Sequence, residues 1–162
     1  MTSRKIDHPT YTVQWSEEDR EYVAICSAYP SLSYLSRSPD KAFRGIRALV
    51  RRAQLEEAFE EHLRIWKHKT ERITSMIEMT LHPSYQAIIG LGPRVIPLIL
   101  EELRVNYSGL NWHGALMTLT GVNPVNGKDA GRVSEVTMAW IVWGQQNGFI
   151  PFNWKRSRPR KT

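Results

Sequence analysis

Five histidines, a single cysteine and a run of arginines are the residues of this sequence with the means to carry chemistry. Histidine moves protons near neutral pH or ligates metals. A thiolate attacks electrophiles. Arginines along one helix face contact phosphates, and each contact steepens the salt dependence of binding. The histidines, His8, His62, His68, His82 and His113, form neither a His-x-x-x-His pair nor a HExxH motif. His82 precedes Pro83, where helix capping is the expected role, and His113 follows Trp112 and is expected in a core or surface position. Cys26 stands alone, which excludes an internal disulfide and a Cys-rich metal cluster. It falls in a β-rich run, so a small buried apolar role is expected. P-loop, GxSxG and GxGxxG patterns are missing from the sequence, so nucleotide binding and acyl transfer have no support. No cofactor or metal is expected.

The basic residues form two groups. Arg37, Lys41, Arg44, Arg47, Arg51 and Arg52 recur near helical spacing, and Arg44, Arg47, Arg51 and Arg52 are the helix candidates for nucleic-acid contact. Lys155, Arg156, Arg158, Arg160 and Lys161 place five positive charges in the last eight residues of a chain whose formal net charge is +6, leaving about +1 for the rest. The high isoelectric point therefore belongs mostly to the tail. Such tails touch phosphates or keep a chain soluble.

The elements that must position these residues change character along the chain. Tyr11, Val13 and Trp15 alternate with Thr12 and Gln14, as in a strand with one apolar face. A polar turn, Ser16–Arg20, leads to a second β-rich run, Glu21–Cys26, and the two read as a hairpin. Leu32–Arg37 predicts a third short strand. Ser38-Pro39-Asp40 opens a helix: serine caps, proline suits the first helical position, and aspartate complements the dipole. Ala42, Phe43, Ile46, Leu49, Val50 and Ala53 then give an apolar face, and the pattern runs to about Trp66, with Glu56, Glu57, Glu60 and Glu61 placed to pair with nearby arginines. Beyond it, turn signals divide the chain into helices over 84–89, 93–104, 112–120 and 133–146, with a loop at 106–110. Trp112, Trp140 and Trp143 are expected in the core.

The expected class is α+β: a small antiparallel sheet with a packed helix, followed by an all-α domain. The expected divisions are a frayed N-terminus at 1–9, an α+β domain at 10–55, a connecting helix at 56–80, a helical domain at 81–152 and a basic tail at 153–162. No apolar run approaches the ~18 residues that span a bilayer, and Met1–Asp7 contains no apolar segment typical of a signal peptide. A cytoplasmic protein with no membrane association is expected.

Residues 10–52 carry a resemblance. Tyr11-Thr12-Val13-Gln14-Trp15, an acidic turn over Glu17–Glu21, Tyr22-Val23-Ala24, Pro30-Ser31-Leu32 and Ser38-Pro39-Asp40-Lys41-Ala42 follow the order and spacing of the N-terminal domain of HicB-like antitoxins. Two features depart from that pattern. The Pro-Gly-Cys form of the third segment is here Pro30-Ser31-Leu32, and Asp40-Lys41 replaces a pair of acids at the helix start. The resemblance implies a partial RNase H-like fold that binds protein and occludes a small HicA-like ribonuclease toxin. Many members also bind operator DNA through a C-terminal segment, but this sequence has no clear helix-turn-helix signature. A nuclease of the RNase H type needs convergent carboxylates to hold Mg²⁺. Tyr11–Trp15 and Tyr22–Cys26 contain none, and Glu17, Glu18 and Asp19 fall in a polar turn. The expected function is thus non-catalytic: an antitoxin or antitoxin-derived module, with Trp15, Tyr22, Leu32 and Tyr34 as candidate protein-binding residues. A homo-oligomer is also expected, because a small sheet leaves strand edges open. The alternative is a nucleic-acid-binding regulator using the basic helix face and tail.

The later half is similar to a HEAT-type helix over Gly90–Leu103 and, at His82–Gln86, Trp112, Leu119–Gly121, Asn123–Val125 and Trp140–Gly144, to a recurring bacterial helical domain. No second copy of the HEAT-like pair is present, so no solenoid is expected.

Overall fold

A computed structural model describes residues 9–106, 109–128 and 130–151. The chain divides into two compact units, Met1–Glu56 and Glu57–Thr162. The first is a three-stranded antiparallel meander in the order β1-β2-β3, with β1 at Tyr11–Ser16, β2 at Glu21–Cys26 and β3 at Tyr29–Ser36. The Ser16 hydroxyl closes the first turn, donating to Asp19 Oδ2 at 2.8 Å and accepting from the Asp19 N–H at 3.2 Å. Arg20 completes it in the left-handed region at φ 53°.

Register decides which side chains share a face. Tyr11 pairs with Cys26, Val13 with Ala24 and Trp15 with Tyr22, while Ala24 also faces Tyr34. These residues therefore line one face of the sheet. Helix α1, Pro39–Thr70, lays Ala42, Ile46 and Val50 on it, and these three together with Ala24 and Cys26 are buried. The small side chains at Ala24 and Cys26 leave room for a helix on the central strand. Between Ile25 and Cys26 the β2–β3 register shifts, from Ile25 opposite Ser33 to Cys26 opposite Tyr29. Pro30, Ser31 and Leu32 are taken up in that bulge, which starts β3 earlier than the expected Leu32.

The start of α1 matches expectation. The Ser38 hydroxyl accepts from the Lys41 N–H at 3.4 Å, and its carbonyl accepts from the Ala42 N–H at 2.9 Å. Phe43 does not belong to the buried face. It is 37% exposed, with its ring edge-on to Tyr11 at 5.8 Å and the Arg47 guanidinium 5.4 Å above it. Residues 39–56 of α1 belong to the first unit and 57–70 to the second. The helix outruns the expected Trp66 by four residues, with Lys67, His68 and Lys69 complementing its negative end. Thr70 closes it by donating its hydroxyl back to the Trp66 carbonyl at 2.7 Å. Residues 71–75 are not helical, so the expected connecting helix over 56–80 is interrupted.

Gly45 is required by close approach. A Cβ built there would lie 2.3 Å from Tyr34 Cδ1 and 2.4 Å from Cγ, so the Tyr34 ring rests directly on the helix backbone. Alanine in a helix interior normally gains up to ~1 kcal/mol over glycine. Here the clash must win, because Cγ moves only if the whole ring swings away. Gly45→Ala is expected to destabilise the parent by about 1–2 kcal/mol and to stabilise a Tyr34→Ala background by up to about 1 kcal/mol. Urea denaturation of the four variants checks this; the same sign in both backgrounds would refute the contact.

The second unit is helical. After residues 57–70 of α1 come α2 (Met76–Leu81), α3 (Pro83–Gly90), a 3₁₀ turn (Pro93–Val95), α4 (Ile96–Asn106), α5 (Gly109–Thr120) and α6 (Val133–Gln146). Helix α2 is the detached end of the connecting helix expected over 56–80. It has six residues, none of them buried, and Ser75 caps it by accepting from the Glu78 N–H. His82 caps α3, its Nδ1 accepting from the Ser84 N–H at 3.1 Å. The expected loop at 106–110 is shorter, since Asn106 ends α4 and α5 begins at Gly109. Gly121, at φ 72°, ends α5 in a conformation that suits glycine.

Trp112, fully buried, stacks on Tyr85 at 5.3 Å and 16°, and touches Trp66 at 5.2 Å and Phe59 at 6.3 Å. The Tyr85 hydroxyl donates to the Asn111 carbonyl at 2.6 Å, and burial pushes its pKa up to about 12. Trp140 and Ile141 close the other side of the core, while Trp143 is half-buried and stacks on Phe149. Among the described residues, no helix is long and apolar enough to cross a membrane.

Candidate functional site

The structure places the four expected protein-binding residues on the face that α1 covers. Tyr22 and Leu32 are half-buried against the first unit's own core. Part of their surface is thus spent internally. Trp15 remains 47% exposed, its ring edge-on to Tyr22 at 5.1 Å. Tyr34 is 40% exposed but rests on Gly45.

The opposite face carries a different set. Val23 pairs with Leu35 across β2 and β3, Ile25 with Ser33, Thr12 with Ile25 and Gln14 with Val23. Alternation turns all of these away from α1. Ile25 is 38% and Leu35 40% exposed, and Val23 is half-buried between them. An apolar strip thus crosses the open face, flanked by Thr12, Gln14 and Ser33, with Glu21 and its partner Arg37 at one end. The signal was present in Tyr22-Val23-Ala24-Ile25-Cys26, which is apolar at every position. A strand with only one buried face alternates; a run without alternation has apolar side chains for both faces.

The basic residues of α1 are all exposed. Arg44, Arg47 and Arg51 fall at i, i+3 and i+7, along one side of the helix. Arg44 Nε donates to the Asp40 carbonyl at 3.3 Å, and Arg47 covers the Phe43 ring. Arg52 pairs with Glu56 at 2.8 Å, and Arg37 lies 3.9 Å from Glu21. The tail residues Lys155, Arg156, Arg158, Arg160 and Lys161 lie outside the described residues.

Cys26 is buried against α1, beyond the reach of an external electrophile. Glu17, Glu18 and Asp19 are exposed in the β1–β2 turn. Among the described residues, no group of three or more His, Cys, Asp and Glu side chains is placed to hold a metal ion. His113 is structural: its Nδ1 accepts from Trp140 Nε1 at 3.0 Å, so its proton sits on Nε2.

Burial holds the His113 pKa below the ordinary 6.5. The folded state therefore takes up a proton less readily than the unfolded chain. Its contribution to stability is present above about pH 6.5 and declines as pH falls through the lower folded value. Protonation would also set Nδ1–H against the Trp140 N–H. Thermal melts at neutral and mildly acidic pH should show a loss on acidification that is smaller in His113→Gln. An equal loss in both proteins would refute the assignment.

Comparison with protein-family models, characterised proteins and solved structures finds no match to this chain. The likeness to HicB-like antitoxins rests on the residues quoted for it.

Proposed function

We propose that this chain is a non-catalytic protein-binding module of the cytoplasm, an antitoxin or antitoxin-derived protein of the HicB-like kind, whose first unit neutralises a small ribonuclease toxin. One observation carries the reading: the open sheet face presents Val23, Ile25 and Leu35 side by side, with uncharged Thr12, Gln14 and Ser33 as their cross-strand neighbours and the Glu21–Arg37 pair at the rim. Depletion of charge around exposed apolar side chains is the compositional mark of an interface centre. Among the described residues, strands β1 and β3 each have one pairing partner, so each offers an edge for strand addition by a toxin or a second copy of the chain.

The line of Arg44, Arg47 and Arg51 favours a second reading, a nucleic-acid-binding regulator in which the basic tail takes part. The two readings respond differently to salt. Protein docking on an apolar strip varies little with ionic strength, whereas phosphate contacts weaken steeply. Binding to duplex DNA and to RNA at low and physiological salt, with Arg44→Ala/Arg47→Ala/Arg51→Ala as control, separates them. Retention of a small protein partner by the triple variant, with no nucleic-acid shift in the parent, supports the first. A shift lost in the triple variant supports the second.

A further inference from the structure

In the second unit, the end of α1, helix α2 and the facing ends of α4 and α5 enclose a cleft of about 340 Å³. Trp66 and Met79 are both in its wall, joined by a hydrogen bond from Trp66 Nε1 to the Met79 carbonyl at 2.8 Å. Its charged lining is two carboxylates, Glu71 and Glu102, against one cation, Lys67. The negative end of α1, at Thr70, adds to that bias.

Glu102 is the unusual member. Its side chain is only 10% exposed, and Oε1, shielded from solvent, accepts no hydrogen bond. Lys67 Nζ approaches this oxygen to 2.5 Å in a salt bridge that is poorly aligned as a hydrogen bond. Burying a carboxylate without directed donors is costly. Lys67 is itself 47% exposed, on a long stem able to swing into water. A half-solvated ammonium therefore occupies a place where a flat cation with several N–H donors would be better accommodated.

We propose that this cleft binds a guanidinium group, carried by a small free molecule or by an arginine side chain of a peptide, which displaces Lys67 from Glu102. A guanidinium meets a carboxylate through two parallel N–H···O bonds, which an ammonium cannot supply. Its stem would lie along the apolar wall at Met79, and the side-chain carbonyls of Asn106 and Asn111 offer acceptors for the remaining donors. This site belongs to the second unit and does not depend on the antitoxin reading.

The test is calorimetric titration of the full chain with agmatine and with a capped Gly-Arg-Gly peptide, at low and at physiological salt. Saturable one-site binding of either probe is expected. Agmatine alone points to a free ligand, and comparable binding of the peptide points to an arginine side chain. Glu102→Gln should weaken binding by about tenfold or more. Lys67→Met should tighten it several-fold, because the resident competitor is gone, whereas Lys69→Met, on the same helix but outside the cleft, should not. If Glu102→Gln fails to fold, the comparison of the two lysine variants decides alone. No saturable binding of either probe, or equal effects of Lys67→Met and Lys69→Met, would overturn the proposal.

Discussion

Trp112→Ala is expected to cost the second unit about 3–5 kcal/mol, the range for a large aromatic removed from a packed core. Trp112 is fully buried and meets three other aromatic rings, Phe59, Trp66 and Tyr85, from two other helices. Truncation leaves a cavity that those rigid rings cannot close, and a loss of that size is a large share of a small domain's stability. Trp112→Phe makes a sharper comparison. Trp112 Nε1 is buried without a hydrogen-bond partner, whereas Trp66 Nε1 donates to the Met79 carbonyl. Phenylalanine keeps much of the ring contact and removes the unpaired donor, so it should recover at least about 2 kcal/mol relative to alanine. Urea denaturation followed by circular dichroism reads both values. An alanine variant within ~1 kcal/mol of the parent would show that the core is not organised around this ring.

Charge placed on the open sheet face is expected to abolish partner binding while the fold survives. Ile25→Glu and Leu35→Glu each set a carboxylate at the centre of the apolar strip, where docking would strip it of water. A loss of at least about a hundredfold in affinity is expected, the scale of an interface hot spot. Both side chains are more than a third exposed in the free chain, so stability should change by no more than about 1 kcal/mol. Tyr22→Ala is the informative control. It faces α1 and packs on the first unit's core, so it should lower the melting temperature and affect binding only as far as it unfolds the sheet. Surface plasmon resonance paired with thermal melts separates the two behaviours. Full binding by Leu35→Glu would remove this face from the interface.

Much of the fold was legible because it is written in local signals. The ends of β2 and α6 were read directly, and so was the Ser38-Pro39-Asp40 entry to α1. In each case a turn cluster or a cap meets a clear apolar period. The break that separates α2 from α1 is not legible because Met76–Leu81 is short and sets only Met79 partly against the core, so no periodic face marks its start. Phe43 was misplaced because helical spacing does not show where the supporting sheet ends; its ring packs at the margin, on Tyr11. Register also separates the docking candidates by face. Tyr22 and Leu32 look like interface residues in sequence, but the register turns them towards α1, and Val23, Ile25 and Leu35 face outward instead. The Glu102 cleft was not legible at all, because Lys67 and Glu102 are brought together only by packing α4 against the end of α1.

The central claim is that the first unit silences a ribonuclease by binding it. The direct measurement is RNA cleavage by the small protein that the chain retains from its native host, titrated with the purified chain. Cleavage is predicted to fall to background at one equivalent of the parent and to persist with Leu35→Glu. Retention of no protein, or cleavage undiminished by a stoichiometric excess of the parent, would contradict the account.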